Sequence, residues 1–89
     1  MLSGWQIEES FVDVFEKDAF GGKLTRLRPG DVIRASNIGS LIVGPRASLR
    51  FLDPHARKPT ELRPRQLVAN FRRQFENNRR IRLSVTRVD

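Results

Sequence analysis

The chain has 89 residues, 38% hydrophobic and 30% charged, with a formal net charge of +7 and no cysteine. That length furnishes one modest core, burying about 60–65% of the unfolded surface, with little room for an enclosed substrate cavity. A disulfide framework and a thiolate metal site are excluded, and the longest apolar run, Leu41–Val43, is far short of a membrane span.

The opening MLSGWQIEES has neither a basic start nor an apolar stretch, so it does not read as a secretory signal. The expectation is one soluble, cytoplasmic domain over residues 1–89, with no membrane partner. Its charge is unevenly spread. Residues 1–22 form an acidic stretch of net −4, and residues 23–89 a basic body of net +11. Such asymmetry suggests a polyanionic partner, or an acidic segment that neutralises part of the basic body. Arginine outnumbers lysine 14 to 3, and the planar guanidinium fork suits bidentate contacts to phosphate or carboxylate.

In chain order, residues 8–16 (EESFVDVFE) alternate imperfectly. Phe11, Asp13 and Phe15 share one face, and Val12 and Val14 the other. Phe11 and Phe15 also stand at helical spacing, so helix and strand both remain open; the two valines favour a strand. A turn ending in Gly21-Gly22 follows. Residues 23–27 and 32–35 read as strands around Arg28-Pro29-Gly30-Asp31, where Pro then Gly specifies a type II turn. The twist of that turn does not suit a tight hairpin, so these strands are expected to splay or to pair elsewhere. The phrase LRPGDVI (27–33) is common strand–turn–strand grammar and identifies no family by itself.

Ser36-Asn37-Ile38-Gly39 is a second turn. Residues 40–43 form a short buried strand, stopped by Gly44-Pro45. Ala47, Leu49 and Phe51 alternate with Ser48 and Arg50, as in a strand buried on one face. The triplet Arg-Ala-Ser at 34–36 and 46–48 has no repeating surroundings and reads as coincidence. After the loop DPHARKPT (53–60), Leu67, Phe71 and Phe75 recur every four residues, predicting a main helix over about 62–77. Thr60 or a neighbour would cap it, Pro64 would sit in its first turn and Asn77-Asn78 would end it. Ile81, Leu83 and Val85 predict a last strand over 80–87. The expected fold class is therefore α+β: a small single domain with a mostly antiparallel sheet of about five short strands, covered by one main helix.

Chemistry is sparse. His55, the one histidine, stands in a loop without a metal-ligand pattern around it. No nucleophile elbow, dinucleotide fingerprint or phosphate loop is present. No catalytic residue, metal or cofactor is expected, and the chain does not read as an enzyme.

The arginines carry the functional expectation. Arg65, Arg72 and Arg73 fall away from the apolar stripe of the predicted helix. Arg79 and Arg80 follow at its exit, and Arg82 lies on the polar face of the last strand. One contiguous ridge would result, too basic for Glu76 to neutralise, and of the kind that binds phosphate backbones. Aromatic residues free for base stacking are few, so base reading is not expected. The partner expected is nucleic acid, DNA or RNA, bound by a small regulatory protein. The alternative is a protein-interaction module whose basic face meets an acidic protein or another copy of itself.

Overall fold

Val12 and Val14 are buried on one side of the backbone while Phe11 and Phe15 stay partly exposed on the other, and that alternation makes a strand of the first apolar segment. The computed structural model describes residues 9–53, 60–75 and 80–88. In it β1 is Val12–Phe15, β2 Leu24–Leu27, β3 Val32–Arg34, β4 Ser40–Val43 and β5 Ala47–Leu52. Then come β6 (Glu61–Leu62), β7 (Leu67–Val68), the helix α1 (Phe71–Gln74) and β8 (Arg82–Arg87). The strands form two four-stranded sheets: sheet A in the order β2-β1-β4-β7, and sheet B in the order β3-β8-β5-β6. Among the described residues every strand pairing is antiparallel.

This corrects the expected α+β fold class, a sheet of about five strands under a main helix. The fold is mostly β, and among the described residues the only part of 62–77 in α-helix is Phe71–Gln74. Asn77-Asn78 and Glu76 lie outside the described residues. Two local facts override the helical spacing. Arg65 has a φ of +67°, which breaks any helix running through Pro64. Leu67 and Val68 pair with Ile42 and Leu41 of β4, so their backbone polar groups are committed to a sheet. The stripe divides accordingly: Leu67 is 60% exposed, Phe71 1%, and Phe75 is half-buried.

The sheet orders contain a hidden duplication. Within β1–β4, strands one, two and four lie together in sheet A and the third crosses to sheet B. Within β5–β8, strands one, two and four lie together in sheet B and the third crosses to sheet A. The pairing registers make Val12 equivalent to Leu49, Val14 to Phe51, Leu27 to Leu62, Ile33 to Val68, Leu41 to Leu83 and Val43 to Val85. All of these are buried except Ile33, which packs against the edge of the same cluster. One core is thus built from two interlocked units.

The turns that send the third strands across are alike. Arg28-Pro29-Gly30-Asp31 and Arg63-Pro64-Arg65-Gln66 each close with a hydrogen bond from the fourth N–H to the first carbonyl, 2.9 and 3.2 Å long. In each, the fourth side chain also accepts from the first N–H: Asp31 from Arg28 at 2.9 Å and Gln66 from Arg63 at 3.0 Å. Each turn then docks on the other unit's last strand. Val85 N–H donates to the Asp31 carbonyl, and Val43 N–H to the Gln66 carbonyl. As the type II geometry implies, β2 and β3 do not pair with each other.

The β1–β2 loop folds over the end of sheet A, held by one buried hydroxyl. Ser40 Oγ accepts from Phe20 N–H at 2.8 Å and donates to the Lys17 carbonyl at 2.6 Å. Ala19 and Phe20 take positive φ there, 53° and 61°. Gly39 lets the loop close, because a Cβ at that position would stand 2.5 Å from the Glu16 carbonyl oxygen.

Phe71 stacks among Phe51 and Phe75, with ring centroids 6.1 and 4.7 Å away. Phe71→Ala should therefore cost about 3–5 kcal/mol in urea unfolding, whereas Leu67→Ala should cost less than about 1 kcal/mol. A helix burying both residues would make the two losses similar.

Candidate functional site

The outward side chains of sheet B form a small grid. Ile33, Leu83, Val85, Leu49 and Phe51 point inward, so the alternating Val32, Arg34, Arg82, Ser84, Thr86, Arg50 and Leu52 point out. Register fixes their neighbours. Arg34 faces Arg82 across the β3–β8 pair, and Arg82 faces Leu52 across β8–β5. One step along, Val32 faces Ser84, Ser84 faces Arg50, and Arg50 faces Glu61.

Directly opposed residues have Cα atoms about 4.5–5.5 Å apart, and like charges so placed repel. Arg34, Arg50 and Arg82 are all exposed. Among the described residues no ion pair joins them to a carboxylate; Glu61 stands only on the far side of Arg50.

Sheet A differs. Asp13, 9% exposed, receives Arg26 through two hydrogen bonds of 2.7 and 3.0 Å, and the same guanidinium lies 4.1 Å from the centroid of the Phe11 ring. Glu9 pairs with Arg46 at 3.0 Å. The acidic stretch thus neutralises part of the basic body within one chain. Around Asp13 the outward face is apolar, with Leu24, Phe15, Ile42 and Leu67.

The predicted ridge is only partly assembled. Arg82 and Arg80 lie together at the start of β8, and Ile81 between them accepts from Ala35 N–H, which brings them beside Arg34. Arg72 approaches the same end; its Nη2 donates to the Glu16 carbonyl at 3.3 Å, and it borders a depression together with Ala35 and Ser36. Arg73 is exposed on α1, its N–H donating to Asn70 Oδ1 at 3.2 Å. Arg65 is elsewhere. Its N–H donates to Gly44 at one end of β4, whereas Phe71 N–H donates to Gly39 at the other, a separation of roughly 17 Å along a strand. Arg79 lies outside the described residues, as does His55.

The alternation around Arg50 was readable in sequence, but the register that brings Arg34 and Arg50 to Arg82 was not. Among the described residues no group of three or more His, Cys, Asp or Glu is placed to hold a metal ion, and no helix is long and apolar enough to cross a membrane.

No family model matches the chain, and no curated protein matches it. Its backbone is similar to a chain from a structural study of the evolution of the eye lens beta-gamma-crystallin domain fold. The TM-score is 0.67 at 13% identity, over 90% of this chain and 88% of that one. It is also similar to the N-terminal domain of Protein S, with a TM-score of 0.62 at 24% identity, over 88% of this chain and 97% of that one. The chain has a beta-gamma-crystallin-like fold, in which the described residues form two antiparallel four-stranded sheets and one short α-helix. At these identities the likeness concerns fold alone.

Arg65 occupies a left-handed position that the first unit gives to Gly30, at φ +94°. A side chain there costs on the order of 1 kcal/mol. Arg65→Gly should accordingly leave thermal stability unchanged or raise it by up to about 1 kcal/mol, measured by urea or thermal unfolding. A clear loss would show that the Arg65 side chain stabilises the turn.

Proposed function

We propose that the protein is a small, non-catalytic polyanion-binding module, and that it grips phosphate backbone with the outward face of sheet B. The observation that carries this reading is the Arg34–Arg82 opposition, with Arg50 diagonal to it and the uncharged Ser84 between. Two like charges held side by side cost folding energy, about 0.2–1 kcal/mol for a cross-strand pair. An anion spanning them removes that repulsion and gains charge-assisted hydrogen bonds.

The absence of an aromatic side chain from the described part of this grid favours backbone contact over base stacking. Of the residues inferred from sequence, Arg80 and Arg82 belong to this face, and Arg72 and Arg73 flank it. Arg65 stands apart. A duplex nucleic acid is the partner that the basic grid fits best. The pairing of Glu9 and Asp13 with arginines of their own chain leaves less acidic surface for binding a second copy.

The test is a fluorescence-anisotropy titration of duplex DNA and of single-stranded RNA at 50 and 200 mM salt, on the order used to read counterion release. Binding should be sequence-independent and steeply salt-dependent. The double variant Arg34→Thr/Arg82→Thr should lower the salt slope by about one to two units, since each duplex phosphate contact contributes about 0.9. The same variant should fold as well as the parent or better, because it removes a like-charge pair and introduces a residue suited to strands. Unchanged binding at both salt concentrations would overturn the reading. If nucleic acid fails to bind the parent while an acidic protein does, with slower association to the variant, the face serves the alternative partner.

A further inference from the structure

We infer that the open edge between β2 and β3 is a second site, separate from the sheet B face, for a small amphipathic anion: a flat apolar body bearing one phosphate or carboxylate. The two strands leave the turn at 28–31 for different sheets, so no backbone hydrogen bonds close the sandwich between them. A depression of about 380 Å³ opens along this edge between Thr25 and Ile33, and a second of about 300 Å³ adjoins it beside α1; both are bordered by Ser36 and Arg72. Volumes of this order match the lower end of ligand sites, about 300–1,000 Å³.

The two ends differ in chemistry. One is apolar, lined by Ala35, Phe71 and the half-buried Phe75, whose ring continues the Phe51–Phe71 cluster at 5.1 and 4.7 Å. A planar ligand gains from offset or edge contact with such a ring. The other end has Val14 and Ile33 beside Thr25 and Asn37, and its charged groups among the described residues are Lys23, Arg72 and Glu16. Among the described residues two cations stand against one carboxylate, and that excess of positive charge suits an anion.

Arg72 joins the two ends. Its hydrogen bond to the Glu16 carbonyl uses one of the five N–H donors of the guanidinium and fixes the side chain at the shared rim. A bidentate anion can then be held at the junction, with its apolar body toward Phe75.

The position within the duplicated fold supports the assignment. The 3-10 turn at Ala35–Asn37 follows the third strand of the first unit, as α1 follows the third strand of the second, and the 300 Å³ depression lies where they approach. The core positions repeat between units, but here Ser36 and Asn37 stand against Phe71 and Arg72. A polar wall therefore faces an aromatic and cationic one.

The probe is 2-naphthyl phosphate, titrated into the full chain and followed by amide chemical shifts, with inorganic phosphate and 2-naphthol as half-ligands. Saturable shifts are expected at Ser36, Asn37, Arg72 and Phe75, with each half-ligand binding about tenfold more weakly or worse. Arg72→Gln should weaken naphthyl phosphate about tenfold, the loss of one charge-assisted contact, with Arg72→Lys intermediate. Arg34→Thr/Arg82→Thr should leave this binding unchanged, which separates it from the sheet B reading. Shifts centred on Leu24 and Leu67, equal affinity in Arg72→Gln, or no saturation at millimolar probe would each overturn the proposal.

Discussion

The whole architecture depends on the direction in which two short turns send the chain. Pro at the second position fixes φ, and a positive φ at the third completes a turn whose twist is wrong for joining neighbouring strands. The strand that follows must find its partner elsewhere. Because both units carry the same turn, each gives its third strand to the other's sheet. Neither sheet then has four strands without the other unit, so folding of the two halves is coupled by backbone hydrogen bonds as well as by the shared core. The side chains of Asp31 and Gln66 rigidify the turns by the same hydrogen bond, although one is charged and the other is not.

How much of this was legible in sequence follows from which signals were local. The alternation of Val12 and Val14 favoured a strand without deciding it, whereas the apolar strand at 40–43 and the period-two patterns near 49 and 83 each placed a strand correctly. The type II reading of 28–31 correctly implied that β2 and β3 would not pair. The failure at 62–77 came from preferring one periodicity over another pattern in plain sight. Thr25-Arg-Leu-Arg-Pro and Thr60-Glu-Leu-Arg-Pro share Thr, Leu, Arg and Pro at the same offsets. Aligning them makes Leu62–Val68 a copy of Leu27–Ile33, hence a strand, a turn and a strand. Attention to the Arg-Ala-Ser triplet, which has no structural counterpart between the units, missed the repeat that does. The spacing of Leu67, Phe71 and Phe75 is explained differently: an outward strand residue, then a core ring, then a ring at its margin.

The candidate site was less legible than the fold, because charge clusters by register and not by sequence distance. Arg34 and Arg82 are 48 positions apart in the chain, and antiparallel pairing sets them face to face. The arginines of 65–82 made one ridge only if 62–77 was a helix leading into the last strand. As two strands, a turn and a helical turn, it carries Arg65 to one end of β4 and Arg72 to the other. Sequence composition gave the sign of the surface; topology decided which arginines can act on one partner.

Function in a duplicated fold is best sought where equivalent positions have diverged. The inward residues remain apolar in both units, as one shared core requires. Outward, the equivalents part. Asp13 paired with Arg26 corresponds to Arg50 opposite Glu61, where the signs are exchanged and no ion pair forms. Ser40, buried and holding the β1–β2 loop, corresponds to Arg82, exposed and opposite Arg34. A serine at that position spends its hydroxyl on the fold. An arginine there contributes nothing comparable to the core and adds repulsion to sheet B. Selection for stability alone disfavours that exchange, and the anionic partner proposed above would account for it. The units share what the core requires and differ where the surface carries an electrostatic cost.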